Sequence, residues 1–149
     1  MNKQDIALDL FYTKCNCAQA VLLTFAEEMK IDLELVRKLS FPFGGGLGRS
    51  GNVCGTITGG IMVLGLKYGD KLNKDQMYEL IRRFINQFNT EFKQIDCKLL
   101  TGFDLSIPEQ SKEASKQNIS ETHCSNYIKK SVSLLETIFQ ELDNKYQVS

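Results

Sequence analysis

Five cysteines are the residues best suited to chemistry in this 149-residue chain: Cys15, Cys17, Cys54, Cys97 and Cys124. Only the first two are close in sequence, and there is no C-x-x-C motif. The sequence therefore has the spacing of neither a zinc ribbon nor a thioredoxin-type site. Any site shared by these cysteines must be assembled by the fold. In a reducing compartment they would be metal ligands, redox centres or plain core residues rather than structural disulfides.

A glycine-rich stretch, FGGGLGRSGNVCG, covers residues 43–55 and ends next to one of these cysteines. It contains a literal G-x-G-x-x-G at Gly46, Gly48 and Gly51. A dinucleotide site needs a strand on each side of that motif. Here a proline-containing LSFPF precedes it and the pattern after it is helical. No Gly-Lys-Ser/Thr follows, so a P-loop is also excluded, and no bound nucleotide is expected.

The same stretch can instead present backbone N–H groups to an anion, because glycines permit positive φ angles and close backbone approach. Exposed N–H groups that run into a helix N-terminus form an anion-binding nest. The anion could be a thiolate, a cluster sulfide or a bound ligand. The sequence predicts that the binding residues are Gly45, Gly46, Gly48, Arg49, Gly51, Asn52 and Gly55.

The elements around the cysteines are predicted to be helices. Apolar residues recur at three- and four-residue steps over 17–29, 53–68, 74–95 and 128–142, and no segment alternates with period two. A short helix over 32–40 would bury Leu35, Val36 and Leu39, while the polar stretch 101–120 is expected to be a loop with a short helix. These patterns predict one all-α domain over 1–149, a bundle of about five or six helices with the glycine-rich loop leading into a central helix.

Three of the cysteines follow a residue type that caps helices, in the pairs Asn16–Cys17, Asn52–Cys54 and Ser120–Cys124. Gln19 adds a capping box to the first pair. For Cys97 two alternatives remain: it begins a short helix over 97–101 after Asp96, or it ends the long helix before it. A helix N-terminus stabilises a thiolate, so these positions predict cysteines of depressed pKa.

Net charge and hydropathy exclude some partners. Lys and Arg together number 18, as do Asp and Glu, so the chain has no general attraction for nucleic acid. The longest apolar stretch, ITGGIMVLGL, is too short for membrane insertion. The first residues lack the pattern of a secretory signal, so a cytoplasmic location is expected.

The cysteine and glycine pattern resembles the C_GCAxxG_C_C family of redox-active proteins, which has one cysteine, then Cys-Gly-Ala-x-x-Gly, then two single cysteines. NCAQAV supplies Cys17, the central block supplies Cys54, Gly55 and Gly59, and CKLLTGFDLS supplies Cys97, with Cys124 as the last cysteine. Thr56 replaces the alanine of the motif, and Cys15 is additional. The resemblance implies an all-α fold and a redox role that rests on four cysteines. A similar domain in a split-Soret cytochrome is associated with an iron–sulfur centre.

Three functions remain open at this point. Cys17, Cys54, Cys97 and Cys124 could ligate an iron–sulfur cluster, or Cys54 could attack as a thiolate and another of the four could resolve the disulfide. The third is a non-catalytic module with a structural zinc site or a site for a small anion or partner. His123, the only histidine, could be a ligand, a base for Cys124 or an exposed residue. An unknown redox partner protein is expected, with a homodimer left open.

Overall fold

The computed structural model describes residues 1–146 and confirms the all-α prediction. These residues contain eight α-helices of five or more residues, more than the five or six expected, and no strand beyond an isolated bridge between Val53 and Asp96. The helices are α1 Lys3–Thr13, α2 Cys17–Ala26, α3 Leu33–Ser40, α4 Gly55–Tyr68, α5 Lys74–Phe92, α6 Cys97–Thr101, α7 Pro108–Lys116 and α8 Ser125–Tyr146. Residues 147–149, at the end of the predicted domain, lie outside the described part.

The predicted central helix is α4, which packs against α2, α5 and α8. These helices bury one continuous apolar core, whose largest fully buried side chains include Phe25, Ile57, Leu64, Phe84, Phe88, Ile128, Leu135 and Ile138. Burial of apolar side chains supplies the main stabilisation of such a bundle. Packing in the core therefore fixes the position of α4. It also fixes the position of the end of the glycine-rich loop, which leads into this helix.

Two glycines of α4 permit its close contact with α2. A side chain at Gly55 would collide with the sulfur of Cys17, and a Cβ at Gly59 would lie only 2.6 Å from the carbonyl oxygen of Ala18. Glycine lowers helix propensity, but here it lets the two backbones approach. The close contact between α2 and α4 brings the beginnings of the two helices together.

One prediction about the helices is wrong, and one helix was not among those predicted. Leu35 and Leu39 of α3 are 54% and 61% exposed, because the buried stripe of this short helix runs through Val36 and Ser40 instead. The helix α1 was not predicted, because Ala7 is its only fully buried residue and its apolar pattern is correspondingly faint. Within residues 1–146, no helix combines the length and the apolar character that crossing a membrane requires.

Candidate functional site

A cavity of about 600 Å³ lies where the beginnings of α2, α4 and α6 face the segment that enters α8. Four cysteines, one from each of these places, line it: Cys17, Cys54, Cys97 and Cys124. The side chains of Cys54 and Cys97 are buried, and those of Cys17 and Cys124 are half-buried. Cys15 is not among the residues that line the cavity. The structure therefore brings together the four cysteines that the sequence predicted to share a site.

The first turn of α2 positions Cys17 through the predicted capping box. The Asn16 side chain accepts a hydrogen bond from the backbone N–H of Gln19 at 2.9 Å, and the Gln19 side chain accepts one from the backbone N–H of Asn16 at 3.0 Å. The Asn16 amide also donates to the carbonyl of Phe41 at 2.8 Å. Cys17 is thus held at the start of a well-capped helix whose cap is tied to the chain that precedes the glycine-rich loop.

The beginning of α4 differs from the prediction. Asn52 does not cap the helix; its side-chain amide donates to the Ser50 hydroxyl at 2.8 Å. The helix begins at Gly55, and Cys54 is itself the N-cap residue. The backbone N–H of Cys54 donates to the carbonyl of Ile95 at 2.8 Å. Contacts with a distant segment, rather than a local cap, therefore decide where α4 begins.

That distant segment is residues 95–98, which pair antiparallel with residues 51–54. The N–H of Cys97 donates to the Asn52 carbonyl at 2.7 Å, and the N–H of Lys98 donates to the Gly51 carbonyl at 3.2 Å. Cys97 begins the short helix α6, whose C-cap is Gly102 with a φ of 79°. The short-helix alternative for Cys97 is therefore correct. The pairing holds Cys54 and Cys97 on neighbouring chain segments at the cavity wall.

The local structure that positions Cys124 at the cavity also differs from the prediction. Residues 120–124 form one π-helical turn that continues directly into α8, and Ser120 makes no capping hydrogen bond. The entry is instead organised by Asn118, whose carbonyl accepts from the N–H groups of Glu121 and Thr122, each at 3.1 Å. The predicted cap at Ser120 is wrong because the chain is already helical there. Such π-helical turns are frequent at functional sites.

His123 does not contact the cavity. Its Nδ1 lies 2.7 Å from the hydroxyl of Thr122, and it is absent from the residues that line the cavity. Within residues 1–146 it forms no hydrogen bond with Cys124. Neither of the suggested roles, metal ligand or base for Cys124, has a contact to support it.

The glycine-rich loop directs backbone donors to Cys17, not to Cys54. Burial raises the pKa of the Cys17 thiol, while the backbone N–H groups of Gly45, Ala18, Cys17 itself and Gly55 act in the opposite direction. Two of these four donors, those of Gly45 and Gly55, come from the two ends of the glycine-rich stretch. An N–H group that hydrogen-bonds a sulfur stabilises its anionic form.

The predicted binding residues of the loop divide into two groups. Gly45, Gly48, Arg49 and Gly55 line the cavity. Gly46, Gly51 and Asn52 do not; they accept the hydrogen bonds that close the loop and anchor α6, for example from the Asn52 N–H to the Gly46 carbonyl at 2.9 Å. At Gly46, with a φ of 70°, a Cβ would lie 2.7 Å from the Cβ of Cys97. This glycine permits the loop to pass beside the cysteine.

All four cavity thiols have a raised pKa, which overturns the predicted depressed values. Burial is the main cause in each case. The negative charges of neighbouring thiolates add to it at Cys54, Cys97 and Cys124. The pKa of Cys97 rises to about 11 and that of Cys124 to about 12. Burial raises the pKa of Cys54 further still, although the Thr56 hydroxyl, 3.1 Å from its sulfur, opposes the shift. Desolvation therefore raises the thiol pKa by more than the helix N-termini lower it.

Tyr127 is a residue of this site that the sequence reasoning missed. It lines the cavity, and its hydroxyl donates to the carbonyl of Leu100 at 2.8 Å. Burial raises its pKa to about 12, with contributions from the charges of Cys124, Cys54 and Cys97. Its position three residues after Cys124 places both side chains on one face of the helix. This three-residue spacing is the feature of the sequence from which Tyr127 could have been predicted to lie at the site.

The thiols surround the cavity without meeting at one point. Within the described chain, no three Cys, His, Asp or Glu side chains form a group that could hold a single metal ion. The four cysteines nevertheless influence one another electrostatically, since the charge of Cys17 raises the pKa of each of the other three thiols. The four thiols therefore line one cavity and interact electrostatically, but they do not form a closed tetrahedral site.

The comparison with known families agrees with this site. Residues 15–138 match the model of a family described as "Putative redox-active protein (C_GCAxxG_C_C)". The chain belongs to this family. The C_GCAxxG_C_C match includes all four cavity cysteines and the whole glycine-rich loop, and it begins after α1. The family name supports a redox role in general. No curated protein and no solved structure gives a significant match.

Proposed function

We propose that this C_GCAxxG_C_C protein is an electron-transfer protein whose Cys17, Cys54, Cys97 and Cys124 hold an iron–sulfur cluster. The observation that carries the proposal is the convergence of these four thiols on one cavity of about 600 Å³. Four cysteine thiolates are the usual ligand set of such clusters. A cluster, when bound, supplies a couple for the transfer of single electrons.

The protonation of the thiols favours metal ligation over attack by a free thiolate. Because burial raises the pKa of all four, they hold their protons near neutral pH. A protonated thiol is a poor nucleophile, so the thiol–disulfide alternative lacks its activated cysteine. Metal ligation releases the protons and places a cation beside each sulfur, which offsets the cost of a buried thiolate.

The surroundings of Cys17 suit a ligand that carries negative charge. The N–H groups of Gly45, Ala18, Cys17 and Gly55 favour the anionic form of this sulfur. Hydrogen bonds to the sulfurs of a cluster raise its reduction potential, because they stabilise the more negative reduced state. The glycine-rich loop would therefore hold one ligand and tune the centre.

The separation of the thiols bears on the choice of metal. A structural zinc ion needs four sulfurs at about 2.3 Å from one point. No three acidic, histidine or cysteine side chains in residues 1–146 are grouped in this way. A zinc ion would thus require the thiols to turn inward to a single point. A cluster has several metal ions and sulfides, so its ligands need not meet at one point.

Metal and sulfide analysis of protein purified without oxygen tests the proposal. We expect about two or four iron atoms per chain with matching acid-labile sulfide, and charge-transfer absorption in the visible range. Serine at Cys17, Cys54, Cys97 or Cys124 should lower the iron content. Cys15→Ser is the matched control and should leave it unchanged, because Cys15 does not line the cavity.

Two results would contradict the cluster. Stoichiometric zinc without iron would identify a structural metal site. A metal-free protein that forms one defined disulfide among the four cysteines on mild oxidation would identify a thiol–disulfide centre.

A further inference from the structure

The cavity extends beyond the four sulfurs. Much of its wall consists of apolar side chains that take no part in presenting the thiols: Phe11, Phe41, Pro42, Leu100, Leu105 and Ile119. They come from α1, from the turn before Phe43, from α6 and the segment after it, and from the turn before Ser120. A volume of about 600 Å³ lies within the range of about 300–1,000 Å³ that is typical of small-molecule sites. Neither a cluster nor a disulfide requires this apolar wall.

Most polar side chains in the wall already form hydrogen bonds within the protein. The hydroxyl of Thr101 donates to the Cys97 carbonyl at 2.8 Å, and the hydroxyl of Tyr127 donates to the Leu100 carbonyl at 2.8 Å. Asn16 is held in the capping box of α2. A molecule in this part of the cavity would meet mainly apolar surface, so the body of a fitting ligand must be apolar.

Arg49 is the one charged side chain among the residues that line the cavity. It both lines the cavity and is exposed, so it lies at the rim. Its stem passes over Gly45, where a Cβ would lie 2.7 Å from the Arg49 Cγ. Within residues 1–146 it forms no ion pair. A guanidinium without a protein carboxylate beside it is a suitable partner for the carboxylate or phosphate of a ligand.

We propose that the cavity binds a small organic anion with an apolar body, such as a medium-chain carboxylate. The acidic group pairs with Arg49 at the rim, and the body lies against Phe41, Leu105 and the neighbouring apolar side chains. This binding does not depend on the cluster, since the residues that carry it are not the cysteines. A ligand at this position would lie next to the sulfurs and would control access to them.

Calorimetric titration of the full-length chain with octanoate and with octanamide, its neutral counterpart, tests the proposal. We expect octanoate to bind one per chain and octanamide to bind about tenfold more weakly, a difference of about 1.4 kcal/mol. Arg49→Gln should weaken octanoate binding by about tenfold and leave octanamide unaffected, because it removes only the charge. Arg49→Lys should restore part of the preference. The control, Arg82→Gln on the exposed face of α5, should change neither affinity.

A second variant locates the bound molecule. Leu105→Trp adds bulk to the half-buried wall and should weaken the binding of both compounds. Absence of octanoate binding would overturn the proposal. Equal affinity for the two compounds would also overturn it. The same holds if either Arg49→Gln or Leu105→Trp leaves the affinity for octanoate unchanged. Iron content is measured on the same samples, so that the failure of the cluster proposal and the failure of this one are told apart.

Discussion

At Cys17, Cys54 and Cys124, hydrogen bonds oppose the effect of burial on the pKa of the thiol. Cys17 shows this best: four backbone N–H groups favour its thiolate form, yet burial still raises its pKa. Cys54 has the Thr56 hydroxyl 3.1 Å from its sulfur and is likewise dominated by burial. A helix N-terminus therefore does not by itself make a reactive cysteine. In the proposed cluster, the bound metal ions would offset the cost of this desolvation.

The rates at which the cysteines are alkylated measure the reactivity of their thiols directly. In the reduced, metal-free protein, iodoacetamide should label Cys54, Cys97 and Cys124 slowly at pH 7.5. Their rates should keep rising above pH 9, toward the pKa of about 11 for Cys97 and about 12 for Cys124. In urea the same cysteines should react with an apparent pKa near 8.5. Rapid, selective labelling of Cys54 in the folded protein at pH 7 would contradict the account and favour an attacking thiolate.

At the level of the elements, the contact between α2 and α4 positions Cys17 and Cys54. This contact depends on glycines that allow the two backbones to approach. At the contact, the size of a residue on α4 therefore affects stability more than its helix propensity does. Gly59 and Gly65 lie on the same helix in opposite surroundings. A Cβ at Gly59 would lie 2.6 Å from the Ala18 carbonyl oxygen, whereas one at Gly65 would meet nothing within 4 Å.

Alanine at these two positions should therefore have opposite effects. Gly59→Ala should lower the free energy of unfolding by about 1–3 kcal/mol, because the helices must separate. Gly65→Ala should raise it by about 0.4–1 kcal/mol, because alanine favours the helix and restricts the unfolded chain. Urea denaturation of the metal-free protein measures both. Equal effects of the two substitutions would show that close packing at Gly59 is unimportant.

The elements also show how far the sequence could predict this site. The capping box at Asn16 and Gln19 was predictable because all its contacts are local. The starts of α4 and α8 were not, because they depend on distant or unusual backbone contacts. Residues 51–54 pair with 95–98, and the Asn118 carbonyl organises the entry to α8. Caps inferred from residue type alone fail where such contacts replace them.

For the whole molecule, the site is an assembly of four chain segments separated by tens of residues. The family pattern predicted which cysteines belong together, and the fold explains how they come to line one cavity. The sequence could not reveal that the donors of the loop face Cys17 instead of Cys54, since this depends on the α2–α4 packing. Nor could it reveal the size of the cavity or the place of Tyr127 in its wall. These properties arise only when all the helices are in place.

X-ray absorption at the iron edge of protein purified without oxygen tests the central claim most directly. The account predicts a first shell of sulfur alone around iron, together with iron–iron scattering, and the loss of both in Cys54→Ser. The Cys15→Ser control should retain them. A first shell of oxygen or nitrogen without iron–iron scattering, or the absence of bound iron, would contradict an iron–sulfur cluster held by Cys17, Cys54, Cys97 and Cys124.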